Sequence, residues 1–171
     1  MDITSHCKIC NHQKIDFKVG TLCSITDKKP DFHNRCIKAD FSEKLETKIE
    51  QINVEYEKVR KTRLLVYANF IIFLSVAFAV ILAGFYLAKY LLKFNAISSV
   101  PFIISLVGVL FVLPIAIGPL NSYLNDLKLA KQRKNELDQV LEIYNINYDI
   151  NIEFGKAYHG TQDVYVDLKV N

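Results

Sequence analysis

The sequence predicts a mainly α membrane protein: a two-helix transmembrane hairpin with helical stalks on its cytoplasmic side and a small zinc and β head formed by both termini. Three observations predict it. Residues 64–88 and 94–125 contain no charged side chain, and at ~1.5 Å rise per residue each run exceeds the ~30 Å of a bilayer's hydrocarbon core. Lys58, Arg60, Lys61 and Arg63 precede the first run and Lys128, Lys131, Arg133 and Lys134 follow the second, with only Lys89 and Lys93 between them. That bias places both termini in the cytoplasm. Finally, Cys7, Cys10, Cys23 and Cys36 all lie ahead of the first run, so they face a reducing compartment where metal binding is favoured over disulfides.

Residues 1–40 read as a cysteine-rich zinc-binding module. Cys7-Lys-Ile-Cys10 has the spacing that lets two thiolates grip one ion from a tight turn, and Cys23 and Cys36 complete a tetrahedral set. With all four positions filled by protein, the zinc is expected to be structural. The spacing of the second pair is irregular, so His33, two residues before Cys36, stands as an alternate ligand in place of Cys23; His6 and His12 are also near. Unligated thiols and a redox C-x-x-C are the competing readings, and the flanks lack the βαβ pattern that redox chemistry needs. Ile15, Phe17 and Val19 alternate with Lys14, Asp16 and Lys18, which predicts a half-buried strand before the turn at Gly20.

The run Cys7-Lys-Ile-Cys10, Gly20-Thr-Leu-Cys23-Ser-Ile-Thr26, Lys29-Pro30-Asp31-Phe32, then Cys36 and Asp40 resembles the N-terminal four-cysteine, zinc-ribbon-like module of uncharacterised small bacterial membrane proteins. The resemblance covers about the first 40 residues. It implies the four-cysteine ligand set and carries no activity.

Residues 41–63 predict an amphipathic stalk helix capped by Ser42. Leu45, Ile49, Ile52, Tyr56 and Val59 form a heptad seam that calls for a partner helix. No Pro or Gly falls between Ser42 and Ala83, so stalk and first span are expected to be continuous. The first span is 64–92, the outward loop 93–99 and the second span 100–120. Tyr67, Tyr86 and Tyr90 are placed as interfacial aromatics, and Ser75, Ala79 and Ala83 as a small-residue stripe for close approach to the second span or another subunit. Ser98, Ser99 and Pro101 start the second span; Pro114 and Gly118-Pro119 are expected to interrupt and bend it. No Asp, Glu, Lys, Arg or His lies in the interior of either span, and only Asn69, Ser75 and Ser105 offer polar side chains there, which argues against transport by a monomer.

A second stalk helix follows at 121–145, with apolar positions Leu124, Leu127, Leu137, Leu141 and Tyr144. Residues 146–171 then switch to strict alternation, Tyr148, Ile150, Ile152 and Phe154 in one strand and Val164, Val166, Leu168 and Val170 in another. These predict a β-hairpin, joined by a polar connection from 155 to 162 that includes Tyr158-His159-Gly160. A lone hairpin is barely stable, and the zinc module is its expected cover.

The opening Met-Asp-Ile-Thr-Ser-His carries no signal-peptide pattern. No catalytic Ser/His/Asp or Cys/His arrangement, phosphate-cradling loop or carboxylate pair is present, so no enzyme is expected. The basic clusters beside the spans are read as topology and lipid contact, not nucleic-acid binding. The partners implied are the lipid bilayer and either a protein partner or a second copy of the chain. The expectation is a non-enzymatic two-span protein whose head recruits or senses a partner; the alternative is an oligomeric membrane effector or pore gated by that head.

Overall fold

The computed structural model describes residues 4–92, 99–159 and 161–171, together with the side chains of all of these except 43, 91–92 and 99–102. The expected outward loop, 93–99, lies almost wholly outside the described residues, as does Gly160. The elements run α1 (Thr4–Lys8), β1 (Gln13–Asp16), β2 (Gly20–Cys23), α2 (Glu43–Lys61), α3 (Arg63–Leu92), α4 (Ser99–Ile143), β3 (Tyr148–Tyr158) and β4 (Thr161–Val170). The chain is mostly helical, and two of its helices are long and apolar enough to cross a membrane. It forms two compact units: Met1–Lys58 with Lys128–Asn171, and Val59–Leu127.

The first unit is the head, and its core draws on both ends of the chain. Ile9 from the cysteine module, Leu45 and Ile49 from α2, and Leu137, Val140 and Leu141 from α4 are buried together. Ile49 has no exposed surface at all. Phe41 and Ile52 pack against this cluster, as do Tyr144, Tyr148, Ile150, Leu168 and Val170. The heptad seam of α2 therefore finds its partner in α4, as its spacing requires. At ~25 cal/mol per Å² of apolar surface removed from water, such burial is the main favourable contribution to this unit.

Asn53, which the apolar seam leaves out, is also buried within this unit. Its amide donates to the carbonyl of Ile49 at 2.8 Å, and its Oδ1 accepts from the ammonium of Lys134. Lys134 also donates to Tyr148 Oη at 2.8 Å, and Tyr148 in turn donates to Asp138 Oδ1 at 2.7 Å. This ties α2, α4 and β3 together by directional bonds. A polar group buried at a helix seam is satisfied in one alignment only, so the network fixes register where apolar packing alone tolerates sliding.

The hairpin differs from expectation in two ways. Its strands pair antiparallel from Tyr148↔Val170 to Tyr158↔Thr161, with an irregularity between Phe154 and Ala157. Most of the expected polar connection is thus strand, and the reversal is made at His159, whose φ of 48° is the left-handed turn conformation. The cover is also different. The helical pair carries most of it, and among the described residues of the cysteine module Ile9 joins the same core, because the base of the hairpin lies directly after α4.

The strand expected over 14–19 is shorter than its alternation implied. β1 ends at Asp16, whose carboxylate accepts from the N–H groups of Lys18 at 2.8 Å and Val19 at 3.0 Å. That side-chain capping bends the chain into a turn. Consequently Phe17 is fully exposed and Ile15 and Val19 are largely so. β1 pairs only with β2, from Gln13↔Cys23 to Asp16↔Gly20, and the two hairpins form separate sheets.

The second unit contains α3 and the apolar half of α4. Stalk and span are continuous, as expected, over Lys44–Tyr90, with one local irregularity at Thr62, whose Oγ1 and N–H both donate to the carbonyl of Val59, at 2.8 and 3.2 Å. The buried stripe is also not the one expected. Ala77 is 3% exposed and Gly84 is buried, whereas Ser75, Ala79 and Ala83 are all exposed. Small residues at a four-residue spacing were the visible signal, but burial follows a seven-residue count: half-buried Phe70, then buried Ala77 and Gly84 on α3, and buried Val109, Ala116 and Tyr123 on α4. Tyr67 and Tyr123 meet edge-on, with centroids 6.2 Å apart. In the head the same count continues to Ala130, Leu137 and Tyr144, so Tyr123 is buried where Leu124 was expected. Pro114 and Pro119 lie inside unbroken α4, both at exposed positions, and do not end the element.

Candidate metal centre

Each of the four cysteines begins a tight turn. The carbonyl of Cys7 accepts from the N–H of Cys10, that of Cys10 from Gln13, that of Cys23 from Thr26 and that of Cys36 from Ala39, at 3.2 to 3.4 Å. Cys23 also accepts from Asp27 at 2.7 Å, and Asp27 takes a positive φ of 50° to close that turn. The turns are held to one another by Ser24 N–H on the His12 carbonyl at 2.8 Å, and by Asn11 N–H on that of Asp40 at 3.0 Å. Asn11 also donates from its side chain to Asp40 and to Ser42, the residue before α2.

The consequence is convergence. Cys7, Cys10, Cys23 and Cys36 all line one cavity of about 210 Å³. Cys10 is buried and the other three are half-buried. The Cys7 thiol is pushed up to about 11, first by burial and then by the neighbouring sulfurs of Cys10, Cys23 and Cys36. A single thiolate there is disfavoured unless a cation joins it. Lys28, Lys29 and Lys38 also line the cavity, and such cations offset the excess negative charge that four thiolates around a divalent ion would carry. His6 and His12 line the cavity too, while His33 does not and is exposed. Among the described residues no three His, Cys, Asp or Glu side chains stand as a closed metal-ligating cluster; the sulfurs share a cavity without being drawn onto one point.

Two contacts join the module to the helices. Lys44 on α2 donates to the Cys10 carbonyl at 3.0 Å and to Gln13 Oε1 at 2.7 Å. Tyr144, one residue past α4, accepts from the N–H of Cys36 at 2.9 Å and lies 3.1 Å from His6 Nδ1. We assign the hydroxyl proton to His6, which requires that imidazole to be neutral with its proton on Nε2. Burial lowers the His6 pKa in the same direction. Phe32 and Phe41 meet this pair edge-on, Phe32 at 5.3 Å from His6 and Phe41 at 4.5 Å from Tyr144.

The sequence located the cysteines but missed the roles of His6, Lys44 and Tyr144. Tyr144 was visible only as an apolar helix position; nothing local distinguishes a tyrosine needed for its hydroxyl. Tyr158 and His159 sit at the hairpin tip with rings 4.3 Å apart, and Thr161 Oγ1 donates to the Tyr158 carbonyl there at 2.8 Å.

Comparison with family models, curated proteins and solved structures returns no match.

Proposed function

We propose that this chain is a two-span inner-membrane protein whose cytoplasmic head, stabilised by structural zinc on Cys7, Cys10, Cys23 and Cys36, recruits or senses a protein partner without catalysing a reaction. The observation that carries the reading is that cysteines from four tight turns line one cavity. Four thiolates suit zinc and leave it no open coordination position, so the ion supplies folding energy to a module with little core of its own. Both termini then lie on the side that the flanking Lys and Arg clusters favour.

The test is metal analysis of protein purified without added chelator. About one equivalent of zinc is expected, and Cys10→Ser is expected to lose it and to make residues 1–40 protease-sensitive while both spans still insert. A metal-free, protease-resistant head would reject the zinc assignment. Reporters fused at either terminus test the topology, and an outward C-terminus would overturn it.

One observation favours the second reading, an oligomeric effector or pore: Ser75, Ala79 and Ala83 are exposed on α3. Oligomer mass in detergent, followed by ion leakage from liposomes, separates the two readings.

A further inference from the structure

Within the head, on the side of the helical pair that α1 and β1 overhang, lies a second cavity of about 370 Å³ that shares only Gln13 with the cysteine cavity. Its size falls in the range of small-molecule sites, which are mostly apolar with a few placed polar groups. Ile9, Ile52, Leu137 and Val140 supply the apolar lining, and Ile15, largely exposed, stands with them. Ile15 was expected in a half-buried strand; the Asp16 turn cuts that strand short and leaves the side chain beside this cavity. A ligand body here would cover apolar surface that the fold leaves wet.

The charges lining the cavity are unequal. Arg133 and Glu55 pair at 2.6 Å, and Glu136 accepts from Gln132 at 2.9 Å. Among the described residues, no carboxylate pairs with the lining cations Lys8 and Lys48. Lys48 gives one bond to Gln51 Oε1, at 2.9 Å, and an ammonium has three donors, so two are left for another acceptor. With Arg133 and Glu55 cancelling, two ammonium groups face one carboxylate, and the balance favours an anion.

We propose that this cleft binds a small amphipathic carboxylate, its apolar body covering Ile15 and Ile52 above a floor of the buried Ile9, Leu137 and Val140, with its anionic group between Lys8 and Lys48. Two cations without a cradle of backbone N–H groups suit one anionic group better than a polyphosphate. The site is separate from the zinc assignment and stands or falls independently of it. It would give the head a soluble ligand to sense besides a protein partner.

The experiment uses the full chain in nanodiscs of zwitterionic lipid, a diazirine-bearing octanoate as probe, and the corresponding neutral octanol as comparator. After illumination, labelled peptides are mapped by mass spectrometry. The expected result is carboxylate labelling within 8–15 and 48–52, weaker by about tenfold for the alcohol and for the variant combining Lys8→Glu with Lys48→Glu, as loss of a charge-assisted hydrogen bond implies. Ile52→Trp, which keeps both cations and fills the cleft, is expected to reduce labelling equally. Labelling confined to the spans, or equal labelling of the cleft by acid and alcohol, overturns the proposal. If the charge-reversed protein does not fold, the alcohol comparator and Ile52→Trp decide.

Discussion

The phenol oxygen of Tyr144 accepts a hydrogen bond from the backbone N–H of Cys36 at 2.9 Å, across 108 residues of sequence. A residue at the end of the second long helix thus holds the last turn of the cysteine module. It does so through one atom that also reaches His6.

Tyr144→Phe keeps the ring packing and removes that atom, leaving a part-buried N–H unpaired. The expected cost is about 1–3 kcal/mol of head stability, with faster hydrogen exchange at the Cys36 amide. Tyr123→Phe is the control, because among the described residues its buried hydroxyl has no partner, and that change is expected to be neutral or slightly stabilising. Equal effects of the two substitutions on thermal unfolding would contradict the assignment.

Ile49→Ala opens a cavity at the fully buried centre of the head and is expected to cost about 2–5 kcal/mol. Asn53→Ala removes one acceptor of Lys134, which keeps its bond to Tyr148, and is expected to cost about 1–3 kcal/mol. Denaturant unfolding in detergent measures both. A double mutant of Asn53→Ala with Tyr148→Phe that showed full additivity would mean the network carries no coupling.

Ending the chain after Asn145 removes Tyr148, Ile150, Leu168 and Val170 from the core. Residues 1–40 are then expected to be digested faster even with zinc supplied. Unchanged protease resistance would show that the cysteine module folds alone, and a single head built from both termini would be wrong.

Lys18 and Val19 amides hold the Asp16 carboxyl below the usual carboxylate range. A depressed folded value means its contribution is complete above the unfolded pKa of ~3.9 and is lost as pH falls through the folded one. An NMR titration should therefore show the Lys18 and Val19 amides shifting with a midpoint below ~3.9. A midpoint at or above that value would remove Asp16 from its capping role.

Ala77 and Ala79 are two residues apart but differ in exposure, so they separate the packing of α3 against α4 from any contact with another copy. Ala77→Leu is expected to destabilise the helical hairpin by about 1–3 kcal/mol, as overpacking does. Ala79→Leu is expected to leave it intact. Loss of an oligomer in Ala79→Leu alone would favour the effector reading.

Periodicity made the long elements legible. The charge-free runs, the seam from Leu45 to Val59 and the alternation from Tyr148 to Val170 all correspond to observed helices and strands. It failed where a single side chain overrode it. Asp16 ended a strand that alternation extended to Val19, and Thr62 tightened one turn of a helix that continues through it. The four-residue stripe of small side chains competed with the seven-residue count, and burial followed the latter. In the candidate centre, cysteine spacing was visible because thiols are rare, whereas Asn53, Lys44 and Tyr144 act across distances that no local pattern records.

The head is discontinuous: residues 59–127 stand between its halves. During synthesis the cysteine turns leave the ribosome before the spans do, and Tyr144 and the hairpin that completes the core leave last. Domains form as units once their parts are present, so this one waits for residues 59–127 to be made. Under the two-span topology proposed above, a chain that failed to return its end to the starting side would never bring Leu137, Val140 and Leu141 to Ile9 and Ile49. Under that topology, completion of the head is a record, kept in the finished molecule, that insertion has succeeded.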